Sequence, residues 1–202
     1  MLEQKTDDNF WVQFNHHSGP FLEKNFIQTQ SAQRNRALKF VKNFNVCLDI
    51  GSHVGFWTRT LATRFNTVHC FEPNPTFINC FNMNIKNDNV ILHEIGLSNK
   101  DHTASQEFNS TVMTHTPGNV QCQPLDSFNL NNIDFIKIDV DGFEVEVLEG
   151  AVETIKRNNA VVVIEMKSYK RPNTCNKIKE ILSRLSYSSR IRIRSDEIWL
   201  KK

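Results

Sequence analysis

The chain has 202 residues, a mass of 23.4 kDa, a formal net charge of +2 and a pI near 8.3, the size of one ordinary domain with no strong field to draw in nucleic acid or an anionic membrane. Its five cysteines, Cys47, Cys70, Cys80, Cys122 and Cys175, are odd in number and scattered, with no Cys-x-x-Cys and no zinc spacing, so they read as reduced thiols of a cytoplasmic protein rather than as a disulfide framework or metal cage. No apolar run approaches the ~20 residues of a membrane span, and the polar, acidic residues 1–9 are expected to carry no targeting signal.

Residues 1–20 lack clear periodicity but carry Phe10, Trp11, Phe14 and the pair His16 and His17 ahead of Ser18-Gly19-Pro20. They are expected to form a short helix or lid ending at Gly19. Adjacent histidines point apart on a helix or strand, so the pair reads as solvated rather than metal-ligating. Residues 27–43, with Ala37, Leu38 and Val41 at helical spacing, predict a helix that packs on a sheet just ahead of its first strand. This divides the chain into a helical extension over 1–45 and an α/β domain over 46–202.

Residues 46–60, Val-Cys-Leu-Asp-Ile-Gly-Ser-His-Val-Gly-Phe-Trp-Thr-Arg-Thr, break from an apolar run into a glycine turn and then a helix-like stretch. Val46, Leu48 and Ile50 suit a buried parallel strand, while Gly51 and Gly55 let the backbone turn sharply and come close to a ligand. Amides left free by the turn would favour a negative group at the helix start. The spacing is Gly-x-x-x-Gly, neither the Gly-x-Gly-x-x-Gly of a dinucleotide loop nor a P-loop. With Asp49 ahead of it as an acceptor for an amino group, the turn fits the methionine end of S-adenosylmethionine, which carries both an ammonium and a carboxylate. A crossover helix is expected over 56–65 and a second strand over 67–71, ending at Glu72-Pro73-Asn74-Pro75. Glu72 lies 21 positions after Gly51, where an acidic residue at the end of the second strand reaches ribose hydroxyls in a doubly wound sheet. Pro73 and Pro75 stop that strand and fix its loop.

A helix over 77–87 and a third strand over 90–93 follow, and in such folds the next loop flanks the adenine, which makes Ile95, Gly96 and Leu97 candidates for its contacts. Residues 101–122 alternate weakly, with a Thr-Pro-Gly turn at 116–118, and predict an antiparallel hairpin beside the sheet. His102 and His115 within it read as surface residues. A fourth strand over 135–138 releases Asp139, Asp141 and Glu144 around Gly142, ahead of a helix with Val145, Leu148 and Val152 inward. Acids at the carboxyl end of a parallel strand mark the crevice where open α/β sheets bind ligands. They could orient the methyl-donor end, remove a proton or hold a divalent cation through oxygen ligands, while Asp141 or Glu144 could cap the helix instead. A fifth, central strand over 160–166, a helix over 173–185, and strands at 190–193 and 198–201 flanking Ser195-Asp196-Glu197 complete the chain as a closing antiparallel hairpin. The basic run Arg190, Arg192, Arg194, Lys201 and Lys202 reads as a solvated face.

Together, Asp-Ile-Gly-Ser-His-Val-Gly-Phe-Trp-Thr at 49–58, Phe-Glu-Pro-Asn at 71–74, Pro-Leu-Asp-Ser-Phe at 124–128 and Ile-Asp-Phe-Ile-Lys-Ile-Asp-Val-Asp-Gly-Phe-Glu-Val-Glu-Val-Leu-Glu-Gly-Ala at 133–151 resemble the FkbM family of S-adenosylmethionine-dependent methyltransferases, over residues 46 to about 166. The resemblance implies a class I methyltransferase fold, a Rossmann-like doubly wound α/β sheet with a C-terminal antiparallel hairpin. It also implies O-methylation, and cofactor contacts at Asp49, Gly51, Gly55 and Glu72. Ser52 and His53 in the same turn, Pro73 beside Glu72, and Asp139 join Ile95, Gly96 and Leu97 as further candidates for the cofactor. His53 stands where broader methyltransferase loops carry a glycine, which stiffens the turn. Asp139 and Asp141 are the candidate bases for a hydroxyl acceptor. The acceptor itself is expected to be a small molecule or glycan carrying a hydroxyl or carboxyl. A nicotinamide-dependent oxidoreductase, disfavoured by the glycine spacing and the terminal hairpin, and a catalytically silent cofactor-binding module are the alternatives.

Overall fold

Strands that alternate apolar residues on both faces have to be covered on both faces, and the chain supplies those covers in sequence order. A computed structural model describes residues 3–5, 11–13, 30–106, 113–166 and 172–202. β1 (Glu3–Lys5) and β2 (Trp11–Gln13) pair as an antiparallel ribbon. The helix expected over 1–20 is thus absent from these residues, and Trp11-Val12 accords with the β preference of aromatic and branched side chains. Phe10, Phe14, His16, His17 and residues 27–29 lie outside the described residues. The next helix, α1 (Ser31–Leu38), is shorter than expected because Lys39 and Phe40 close it in a turn onto Ala37.

Then follow β3 (Val46–Ile50), α2 (Thr58–Leu61), β4 (Thr67–Phe71), α3 (Pro75–Asn84) and β5 (Val90–His93). α3 starts two residues earlier than expected, because the Asn74 side chain accepts from the Thr76 amide at 2.9 Å and Pro75 takes the first helical position. β6 (Gly96–Leu97), β7 (His102–Gln106), β8 (Met113–Thr114) and β9 (Val120–Gln123) form a small separate sheet in the order β6-β9-β7-β8. The antiparallel hairpin expected over 101–122 is there, with residues 96–97 recruited as an added parallel strand. β10 (Ile133–Ile138), α4 (Glu144–Glu149), α5 (Val152–Arg157), β11 (Val161–Glu165), α6 (Pro172–Arg184), β12 (Tyr187–Ile193) and β13 (Asp196–Lys201) complete the domain. One helix was expected after β10. Two form, divided at Gly150 and Ala151, with the Asp126 carboxylate accepting from the Glu153 and Thr154 amides at the start of α5.

The main sheet runs β12-β13-β11-β10-β3-β4-β5, parallel from β11 to β5, with β13 antiparallel to both of its neighbours. This is the expected class I order with its closing hairpin. Leu48, Ile50, Ile136, Ile138, Val162 and Ile164 face one core, and Cys47, Phe135, Val163, Val68 and Cys70 the other. The order in which strands are added reverses between the parallel neighbours β3 and β10, which opens a crevice outside their carboxyl ends. All five cysteines are buried and unbridged, Arg190, Arg192 and Arg194 are exposed as expected, and among the described residues no helix is long and apolar enough to cross a membrane.

At the β4-β5 edge, His69 Nδ1 and His93 Nε2 lie 3.0 Å apart, and the His93 ring stacks on Phe71 at 4.6 Å. One nitrogen must donate and the other accept, so the bond requires a neutral ring. Burial, and then the neighbouring His69, push His93 down to about 4, and burial also lowers His69. A histidine lowered on folding stabilises fully above its unfolded pKa near 6.5 and loses that contribution as pH falls toward about 4. Thermal melts between pH 7 and 4.5 should therefore show a smaller acid-induced drop in Tm for His93→Phe than for the unsubstituted protein. Parallel curves would remove this pair from the acid response.

Candidate functional site

Gly51, Glu72 and Asp139 each follow directly on a strand, β3, β4 and β10, and all three line one cavity of about 240 Å3 at the switch point. Its wall also includes Ser52, His53, Pro73, Lys137 and Asp141, with Gln30 and Arg34 from the segment before β3 and Gln106 and Met113 from the small sheet. Gly51 has φ +74°, and a Cβ there would lie 1.9 Å from the Asp139 carbonyl oxygen. No other residue fits between the ends of β3 and β10.

A buried ion pair holds this turn from beneath. Lys137 and Asp49 are register partners on β10 and β3, and Lys137 Nζ lies 3.2 Å from Asp49 Oδ1 while donating to the Gly51 carbonyl oxygen at 2.6 Å. Thr58 Oγ1 donates to the other Asp49 oxygen at 2.7 Å. Burial opposes the Lys137 charge, but Asp49, Asp139 and Asp196 outweigh it and raise the ammonium above its ordinary value. Sequence reasoning missed Lys137. The signal was there: a lysine inside an apolar strand must find an acid, and Asp49 occupies the equivalent position on the neighbouring strand.

The remaining candidates separate. Asp49, expected to meet an amino group, is 0% exposed and does not line the cavity, because both its oxygens are engaged inside the fold. Gly55 also lies off the cavity; its φ of +97° and a Cβ position 2.8 Å from the Ile85 side chain make it a packing glycine. Ile95, Gly96 and Leu97 are not among the lining residues, since β6 pairs Gly96 with Cys122 and Leu97 with Gln123. Four amides of the turn are also engaged inside the fold. Gly51 and Ser52 donate to the Phe71 carbonyl at 3.0 and 3.1 Å, His53 to Glu72 Oε2 at 2.9 Å, and Gly55 to the Ser52 carbonyl at 2.9 Å.

Glu72 accepts from the His53 amide through one oxygen and from the Asn74 amide through the other, both at 2.9 Å. Each oxygen keeps a second lone pair for a ligand. Burial pushes Glu72 up to about 7 despite those two bonds. His53, at φ +52° with its ring centroid 3.9 Å from that of Phe77, is pushed down to about 4 by burial and then by Lys137, so it is neutral. The Asp139 carboxylate faces the cavity with no hydrogen bond among the described residues. Asp141 also lines it, at φ +47°, a left-handed conformation uncommon outside glycine. Glu144 turns back to accept from the Gly142 amide at 3.0 Å. The three acids therefore do not converge as a cation site, and among the described residues no group of three metal-ligating side chains comes together.

Residues 49–190 match the family model described as the methyltransferase FkbM domain. The chain is 29% identical over 132 residues to the hexuronic acid methyltransferase AglP of Haloferax volcanii, covering 59% of this chain and 55% of that protein. Its fold is similar to the structure of a methyltransferase FkbM from Methylobacillus flagellatus, with a TM-score of 0.57 and 18% identity over 78% of this chain and 44% of the other. It is likewise similar to a precorrin-6y C5,15-methyltransferase from Geobacter metallireducens, with a TM-score of 0.56 and 14% identity over 96% and 94% of the two chains. The two structural likenesses show a shared fold. The chain spans about half the length of AglP and of the FkbM structure.

Removing Lys137 should strand Asp49 as a buried, uncompensated charge, which typically destabilises by about 3 to 5 kcal/mol. Denaturant unfolding should report a loss of that order for Lys137→Met, and recovery of much of it in Lys137→Met/Asp49→Asn. Equal instability of the single and double variants would show that the pair does not act as a unit.

Proposed function

The chain belongs to the FkbM family of methyltransferases, and from that membership we propose that it transfers the methyl group of S-adenosylmethionine to an oxygen, hydroxyl or carboxyl, of a small-molecule or glycan acceptor. The observation that carries the proposal is the convergence of the Gly51 turn, Glu72 and Asp139 on one cavity at the switch point of the sheet. The similarity to a hexuronic acid methyltransferase supports an acidic carbohydrate as the acceptor class.

The residues present fit such a cofactor. Glu72 carries two unused lone pairs toward the cavity, the arrangement that vicinal ribose hydroxyls require, and Pro73 holds the backbone beside it. Phe77 and His53 give that region an aromatic wall. When bound, the cofactor supplies a methyl group already activated by its sulfonium. The protein then has little covalent work to do: it aligns an acceptor oxygen, keeps water out and takes up a proton where the acceptor is a hydroxyl. Asp139 suits the last task because its carboxylate lines the cavity and is not engaged elsewhere among the described residues. Asp141, two residues on in the same loop, also lines the cavity and is the alternative base.

Glu72→Ala should weaken binding of S-adenosylhomocysteine several-fold or more, since charge-assisted hydrogen bonds are typically worth about 1.5 to 3 kcal/mol. Hydroxyls that donate to the ionised carboxylate favour its deprotonated form. Because burial raises Glu72 to about 7 in the free protein, affinity should be complete well above pH 7 and decline as pH falls through it. Calorimetry of the unsubstituted protein near pH 6, in buffers of different ionisation heat, should detect proton release on binding. No release, together with unchanged affinity in folded Glu72→Ala, would remove Glu72 from the ribose.

Asp139→Asn keeps the side-chain shape and removes the charge. With a hydroxyl acceptor, turnover should fall by roughly 10² to 10⁴-fold, while Tm and cofactor affinity change little. Methyl release at the unsubstituted rate from the folded variant would place proton removal on another group.

A further inference from the structure

A carboxylate entering the cavity finds four of the turn amides taken, because Gly51, Ser52, His53 and Gly55 all donate inside the fold. A charged set of unused donors stands on a side chain. Arg34, from α1, is 5% exposed and lines the cavity with its guanidinium over the Trp57 ring, 5.8 Å from the centroid. Trp57 is itself fixed, its indole N–H donating to the Gln30 side-chain oxygen. Of the five N–H donors of Arg34, one reaches the Phe56 carbonyl oxygen, at a long 3.5 Å, and Nε is buried with no partner. No carboxylate lies within ion-pair reach of it among the described residues, and Asp49, which favours its charge from a distance, is committed to Lys137 and Thr58.

A buried cation with open donors is strongly unfavourable unless something completes it. A guanidinium fork matches a planar carboxylate through two parallel bonds. Glu72, Asp139 and Asp141 on the same walls disfavour a dianion such as phosphate. We propose that Arg34 is the carboxylate-binding residue of this cavity. The proposal rests on the methyltransferase function above, which brings two carboxylates to the site: that of the cofactor's methionine end and that of a uronate-type acceptor.

Calorimetry with four ligands separates the sources: S-adenosylhomocysteine, its decarboxylated form, and D-glucuronate or D-glucose added to protein saturated with S-adenosylhomocysteine. If the methionine carboxylate is the partner, Arg34→Met should weaken S-adenosylhomocysteine by at least about 10-fold and leave the decarboxylated form nearly unchanged, with Arg34→Lys intermediate because it keeps the charge and loses the fork. If the acceptor is the partner, S-adenosylhomocysteine affinity should hold while glucuronate binding is lost and glucose is unaffected. The readout is a ratio of acid to neutral ligand within one folded protein, so Arg34→Lys decides by the same rule should Arg34→Met fail to fold. Ratios equal to those of the unsubstituted protein for both ligand pairs would overturn the proposal. An unsubstituted protein that binds no S-adenosylhomocysteine would instead overturn the methyltransferase function, and glucuronate against glucose alone would then judge Arg34.

Discussion

The cavity depends on a single buried ion pair at the switch point of the sheet. Lys137 and Asp49 face each other across β10 and β3, at 5% and 0% exposure. Desolvation takes back much of what such a pair gains, so its main consequence is geometric: neither residue can be buried except opposite the other, which fixes the register of the two strands. From that point the bonds spread outward. Lys137 holds the Gly51 carbonyl, Thr58 ties Asp49 to the start of α2, the Gly51 and Ser52 amides close on the end of β4, and Glu72 returns from β4 to hold His53. The turn is thus built from below by a buried ion pair, of which only Lys137 reaches the cavity wall.

That construction sets the electrostatics above it. Burial leaves His53 neutral and drives Glu72 toward neutrality, so the carboxylate that faces the cavity is poised near the middle of its titration while its two backbone donors still hold it in place. A group in that state responds strongly to a hydroxyl donor, because one new partner shifts a nearly balanced equilibrium.

How far the sequence reveals the site depends on whether the deciding interaction is local. Strand order, the hairpin closure and the placement of Gly51, Glu72 and Asp139 are legible because glycine turns, strand-ending prolines and the acid about 20 positions on are short-range patterns. The early start of α3 departs from the expected residue 77, although its signal, the Asn74-Pro75 cap, is also local. The placement of Asp49 and Gly55 off the cavity is not legible, since it depends on partners on β10 and α3 that a spacing motif does not contain. Likewise β6 takes Gly96 and Leu97 through pairing with β9, a long-range choice that no window around residue 96 contains. Lys137 sits between these cases: its sequence position calls for a partner but does not name one.

The walls of the cavity have different origins, and that bears on specificity. The family match covers residues 49–190 and so includes the turn, Glu72 and Asp139 on the strand ends as well as Gln106 and Met113 of the small sheet, whereas Gln30 and Arg34 come from the segment before it. The residues on the strand ends are constrained by the sheet, because changing Gly51 or Lys137 disrupts strand packing as well as the ligand site. Those on α1 and on the small sheet are not tied to the parallel strands in that way, so they can change with the acceptor while the turn beneath stays the same. Discrimination between acceptors is therefore best sought in the added walls, where a buried guanidinium and a thioether meet the same space as the acids of the strand ends.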